Sequence, residues 1–147
     1  MKSFKDKARL AQRLSLSDWL ILIRAWWMLL FFHLALKWVS YDRLKSSTRP
    51  VPVEIADSAS VLLVAQKYQR LVLWASRLHV MPMTCLVKSL TLRWMLDRRN
   101  TPAQLCIGVT KTLNGIQAHA WVEVMGEIIG EAEEIPDRFT VLESPAG

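Results

Sequence analysis

The hydrophobic period of this chain changes once, at Pro102, and that change constrains its architecture more than any other feature. Upstream, apolar residues recur every three or four positions. Downstream, Leu105, Ile107 and Val109 alternate with Cys106, Gly108 and Thr110. The first spacing lines one face of a helix and the second one face of a strand. Asn114-Gly115 supplies a hairpin turn, residues 117–125 form the returning strand, and Gly126 permits a second reversal into Ile128-Ile129-Gly130-Glu131. Helices followed by a small antiparallel meander make an α+β fold, because a parallel sheet needs helices between its strands. A chain of 147 residues suits a single domain with one core. Residues 1–50 form a basic, Trp-rich helical region of it, and residues 51–147 form the remainder.

The helical part divides into three. Residues 18–44 form a first long helix, opened by the capping box Ser15-Leu16-Ser17-Asp18 and heavy in Trp19, Trp26, Trp27, Phe31, Phe32 and Trp38. Arg24, His33 and Lys37 interrupt it, and its longest clean apolar run, residues 25–32, is well short of the ~18 residues that a membrane span requires. The helix is therefore read as buried or interfacial, with a helix lying on a membrane surface as the alternative. Pro50 and Pro52 sit in a turn-rich linker over residues 46–57. A second helix, capped by Asp57 or Ser58, carries Val61, Leu62, Ala65, Tyr68, Leu71, Val72 and Ala75 toward His79. A third starts at Thr84 or Cys85, runs through Leu86, Leu90, Trp94 and Met95, and stops at Asn100 ahead of Pro102.

The net charge of +6 is uneven: residues 1–50 carry ten Lys/Arg against three Asp/Glu, and residues 51–147 carry nine against ten. A basic N-terminal region suits an anionic surface, an acidic partner or a solvated face. Without zinc-finger spacing, an RNA-recognition signature or a helix-turn-helix signal, nucleic acid is not an expected partner. Cys85 and Cys106 are too few and too far apart for a disulfide framework or paired zinc ligands. A zinc site from Cys85, Cys106, His79 and His119 would lack locally paired ligands, and no phosphate-binding Gly loop occurs, so no cofactor or metal is expected. The charged residues 1–13 do not read as a secretory signal, which points to the cytoplasm.

Chemistry converges on Cys85. At the first turn of a helix, unpaired N–H groups and the positive dipole end stabilise an anion, which is what a nucleophilic sulfur needs. His119 lies in Ala118-His119-Ala120-Trp121-Val122-Glu123, a strand in which small neighbours leave the imidazole accessible. Each residue alone also fits an ordinary core position. A carboxylate should orient the imidazole. If Met125-Gly126-Glu127 is a three-residue hairpin loop, Trp121 faces Glu131 and His119 faces Glu133, which makes Glu131 the expected third member, with Glu133 as its rival. Cys106 is read as a structural or surface thiol and His79 as a neighbour of the site.

Cys85-Leu86-Val87-Lys88-Ser89-Leu90-Thr91-Leu92, Met95-Leu96-Asp97-Arg98-Arg99, Ile107-Gly108-Val109, Ala118-His119-Ala120-Trp121-Val122-Glu123 and Gly130-Glu131 together resemble the leader peptidases of lasso peptide biosynthesis, transglutaminase-like cysteine proteases. The resemblance covers residues 77–142 and carries no motif in the N-terminal helices. It implies a Cys-His-Asp triad that cleaves a leader from a ribosomally made precursor before a separate ATP-dependent cyclase closes the ring. Cys85 and His119 match the first two members, whereas Glu131 stands where the family has Asp. No segment has the pattern of the winged-helix leader-recognition domain of fused members, so the chain resembles the split form. That form implies a small leader-binding protein acting in trans. The expected function is thus a cysteine peptidase using Cys85, His119 and Glu131, with a transglutaminase-type acyl transferase or a non-catalytic membrane or assembly scaffold as the alternatives.

Overall fold

The computed structural model describes residues 14–40, 57–130 and 140–143. Three helices come first. Helix α1 spans Leu16–Trp38, with Ser15 as its cap: the Ser15 side chain accepts from the Asp18 N–H and the Asp18 carboxylate from the Ser15 N–H, the reciprocal box expected from the sequence. It ends earlier than the sequence spacing suggests. The Val39 N–H still donates to the Ala35 carbonyl, but Val39 itself is extended, and Val39 and Ser40 are weaker helix formers than the residues before them. Helix α2, Ser58–Leu78, is capped by Asp57. Helix α3, Cys85–Asp97, is capped by Thr84.

Helix α3 stops three residues short of Asn100 for a specific reason. Asn100 takes a left-handed conformation with φ of 54°, and its N–H donates to Asp97 while the Thr101 N–H reaches back to Leu96. These two bonds satisfy the last carbonyls and turn the chain toward the sheet.

Strands β1 (Gln104–Thr112), β2 (Gly115–Val124), β3 (Glu127–Ile129) and β4 (Thr140–Glu143) form one antiparallel sheet in the order β3-β2-β1-β4. The first hairpin turns one residue earlier than Asn114-Gly115: Thr112 pairs with Gly115, so Leu113 and Asn114 form the loop, and Gly115 takes a φ of 128°. The second hairpin corrects the expected three-residue loop. Val124 pairs with Glu127, and the loop is only Met125-Gly126, with φ of 55° and 80°. Two successive positive φ values make a turn whose twist matches that of the strands it joins. Strand β4 has no counterpart in the sequence reading. It pairs with the outer edge of β1, across an irregularity between Ile107 and Gly108.

The core lies between the helices and one face of the sheet. Ala120, Val122 and Val124 of β2, Leu105 of β1 and Ile129 of β3 meet Val87, Leu90, Leu92 and Leu96 of α3. Each large side chain in this set contributes ~1.5–3 kcal/mol through burial. Helix α1 packs on α2 and α3 through Leu22, Ala25, Leu29 and Phe32. Its inward acid, Asp18, pairs with Lys67 of α2, which holds the carboxyl below its usual range with help from Ser15. By length and composition helix α1 could cross a membrane, but one side of it belongs to this core.

Candidate active site

Cys85 is the first residue of α3, where a helical N–H has no acceptor within its own helix. Thr84 Oγ1 accepts from the Val87 N–H at 3.3 Å, which fixes the helix start and leaves the Cys85 N–H at the exposed end of the dipole. The thiol is half-buried.

His119 sits on β2 opposite Gly108. The alternation of the strand puts it on the same face as Trp121, with Cys106 diagonal to it, while Ala120 and Val122 face α3. The described part of β3 ends at Ile129, opposite Val122. A cleft of about 530 Å³, its open mouth included, takes in residues from both faces of β2. Cys85 and His119 both line it, with Gln69, Lys88, Ser89 and Trp121 as the neighbouring polar groups and Leu73, Leu92 and Ile129 as apolar wall.

Two ties that the sequence reading did not find hold this cleft together. Ser89, one turn beyond Cys85 on α3, is buried, and its hydroxyl donates to the Ala120 carbonyl at 3.0 Å. That bond locks the helix bearing Cys85 against the strand bearing His119. The second tie is on the strand itself: Trp121 Nε1 donates to Glu123 Oε1 at 2.9 Å, and the indole lies 21° from the plane of the His119 ring with centroids 6.3 Å apart. The i, i+4 spacing of Cys85 and Ser89 and the His119-x-Trp121-x-Glu123 alternation were the signals available in the sequence.

Gln69 enters the site from α2. Its side chain passes so close to Gly130 that a Cβ there would stand 2.7 Å from Nε2, and the φ of Gly130 is 116°. The positive φ is what favours glycine here, since the Gln69 amide at the end of a flexible side chain could move aside.

The other expected residues separate. Cys106 is 1% exposed and packs with Trp121 and Ile128 on the face of the sheet away from α3. His79 does not line the cleft: it caps α2, stacks on Trp26 at 4.4 Å and donates from Nε2 to the Trp26 carbonyl at 2.8 Å, tying α2 to α1. Glu131 and Glu133 lie outside the described residues. The register argument that paired them with Trp121 and His119 does not survive, because it needed a three-residue loop and the loop has two. Among the described residues no group of three His, Cys, Asp or Glu could hold a metal ion.

Comparison with known proteins adds two findings. A family model described as Transglutaminase-like superfamily matches residues 26–144. A 65-residue stretch is 35% identical to the microcin J25-processing protein McjB of Escherichia coli; it covers 44% of this chain but only 30% of the length of that relative. No solved structure matches.

Proposed function

Because the chain belongs to the transglutaminase-like superfamily, we propose that it is a cysteine peptidase that cuts a ribosomally made lasso peptide precursor between its leader and its core. One observation carries the reading: Cys85, at a helix start, and His119, on the adjoining strand, line a common cleft. The name of the relative, a processing protein for microcin J25, supports the substrate class.

In this reading the His119 imidazole takes the Cys85 proton and the thiolate attacks the last carbonyl of the leader. The Cys85 N–H is one donor to the resulting oxyanion, and the Gln69 side-chain amide, which lines the same cleft, is the second. Collapse breaks the peptide bond; His119 returns the proton to the departing amine, and the core leaves with a new N-terminal amino group. The leader remains as a thioester on Cys85. Water, deprotonated by His119, then attacks that thioester and releases the leader as an acid with the thiol restored. Glu131 holds the imidazole and balances its charge.

The proposed setting is the cytoplasm, with a small winged-helix-type leader-binding protein delivering the precursor and an ATP-dependent cyclase using the new amine. The test is to incubate the chain with precursor and leader-binding partner and to weigh the products. A leader-sized fragment ending in a free acid supports the reading. A leader joined to an added amine would make the chain an acyl transferase, and no thioester or fragment would leave a scaffold.

A further inference from the structure

Among the described residues, nothing covers the outward face of α1. Leu20, Ile23, Trp27, Phe31, Leu34 and Trp38 follow one another at intervals of three or four residues, and each is 45–86% exposed. At about 100° and 1.5 Å per residue this spacing draws one straight apolar stripe ~27 Å long. Few monomers leave a patch of that extent in water.

The charges around the stripe share one sign. Arg24 and Lys37 border it, both exposed, while the one acid of the helix, Asp18, is turned inward to Lys67. The flanking sequence continues the pattern, with five Lys/Arg in residues 1–13 and three in residues 41–50, against one Asp in each segment.

We propose that this face docks on the surface of an anionic lipid bilayer, with α1 lying in the plane of the interface. Trp27, Phe31 and Trp38 enter the headgroup boundary, and Arg24 and Lys37 meet lipid phosphates. The proposal takes only the cytoplasmic side of the membrane from the preceding reading and does not depend on the chemistry of Cys85.

The fold argues against two other ways of covering the stripe. Crossing the bilayer would pull Leu22, Ala25, Leu29 and Phe32 out of the core, separate Asp18 from Lys67 and unstack Trp26 from His79. A second copy of the chain would bring two cationic borders and two basic flanks together, whereas an anionic surface neutralises them.

The experiment is sedimentation of the full chain with phosphatidylcholine vesicles, with and without about one-third phosphatidylglycerol. The chain should pellet with the anionic vesicles and remain in solution with the neutral ones. Trp27→Ser with Phe31→Ser should weaken binding by about tenfold or more while far-UV circular dichroism is unchanged. Arg24→Gln with Lys37→Gln should weaken it by about fivefold per cation and steepen no other property. Cys85→Ala should bind as the unaltered chain does. Failure to bind anionic vesicles, or equal binding to both kinds, overturns the proposal. So does a lipid-free dimer that the Trp27→Ser, Phe31→Ser variant dissolves, since a second copy would then cover the stripe.

Discussion

Helix α3 and helix α1 pack on each other but present opposite kinds of surface. Toward the sheet, α3 presents Cys85 and Ser89 one turn apart, and a buried hydroxyl-to-carbonyl bond joins Ser89 to Ala120. Away from the core, α1 presents large apolar side chains bordered by cations. The first surface is specific because a misplaced polar group inside it has nowhere to go. The second is adhesive, since apolar area acts without direction. Chemistry requires the first kind of surface, and attachment needs only the second.

The largest effect should come from the proposed nucleophile, Cys85. Cys85→Ala is expected to abolish cleavage with the fold intact, and His119→Ala to reduce it by ~10³-fold or more. Cys106→Ala, buried against Trp121, should retain turnover and lose about 1 kcal/mol of stability. Single-turnover assays beside thermal melts separate the two cysteines; equal loss of activity in both folded variants would remove Cys85 as the nucleophile.

The carboxylate comes next. Glu131→Gln should lower kcat by ~100-fold, Glu133→Gln should matter far less, and Glu131→Asp, which restores the residue of the family, should retain activity. With the three-residue loop gone, this prediction rests on the resemblance alone. Damage from Glu133→Gln with Glu131→Gln harmless would overturn the assignment and leave Cys85 and His119 untouched.

Ser89 tests whether the seam between α3 and β2 positions the site. Ser89→Ala strands the Ala120 carbonyl, which should cost ~1–3 kcal/mol. A shift of α3 against β2 should also cut kcat by about tenfold with KM little changed. If kcat is unmoved once the variant is shown to be folded, the bond holds the fold together and does not set the chemistry. By contrast, the Trp27→Ser, Phe31→Ser variant should hydrolyse a soluble precursor within about twofold of the unaltered rate, because its side chains meet nothing near the cleft.

The difference between the two surfaces also explains what the sequence made legible. Period and capping gave the three helices and the paired strands, because Pro102, Asp57 and the Ser15–Asp18 box act locally. The places of Cys85 at a helix start and His119 on an alternating strand were legible through local rules as well. Ser89, Gln69 and the tie of His79 to Trp26 were not, since each is a contact between elements far apart in the chain. The second hairpin was misread because Met125 adopts a positive φ, which a long side chain rarely does. That one residue decides whether the loop has two members or three, and the register of everything beyond it follows.

Asp97 provides the smallest and most selective probe, at the far end of α3 from Cys85. Burial pushes its carboxyl up to about 6, against the weaker pull of Arg93, whose Nε stands 3.9 Å from Oδ2. The folded state therefore holds this proton more tightly than the unfolded chain, which releases it near 3.8. Between those two values the folded state binds the extra proton, so its stability falls as pH rises and stays lower above about 6. An anion at the last helical residue also opposes the negative end of the dipole. Asp97→Asn should then flatten the decline of Tm between pH 4 and 7 (roughly the span of the two values) and raise Tm at pH 7.5, while leaving kcat unaltered. Twelve residues of helix, about 18 Å, separate it from Cys85. A change in kcat with Asp97→Asn would mean that strain at one end of α3 reaches Cys85 at the other, and that the helix transmits position along its axis as well as across its seam with the sheet.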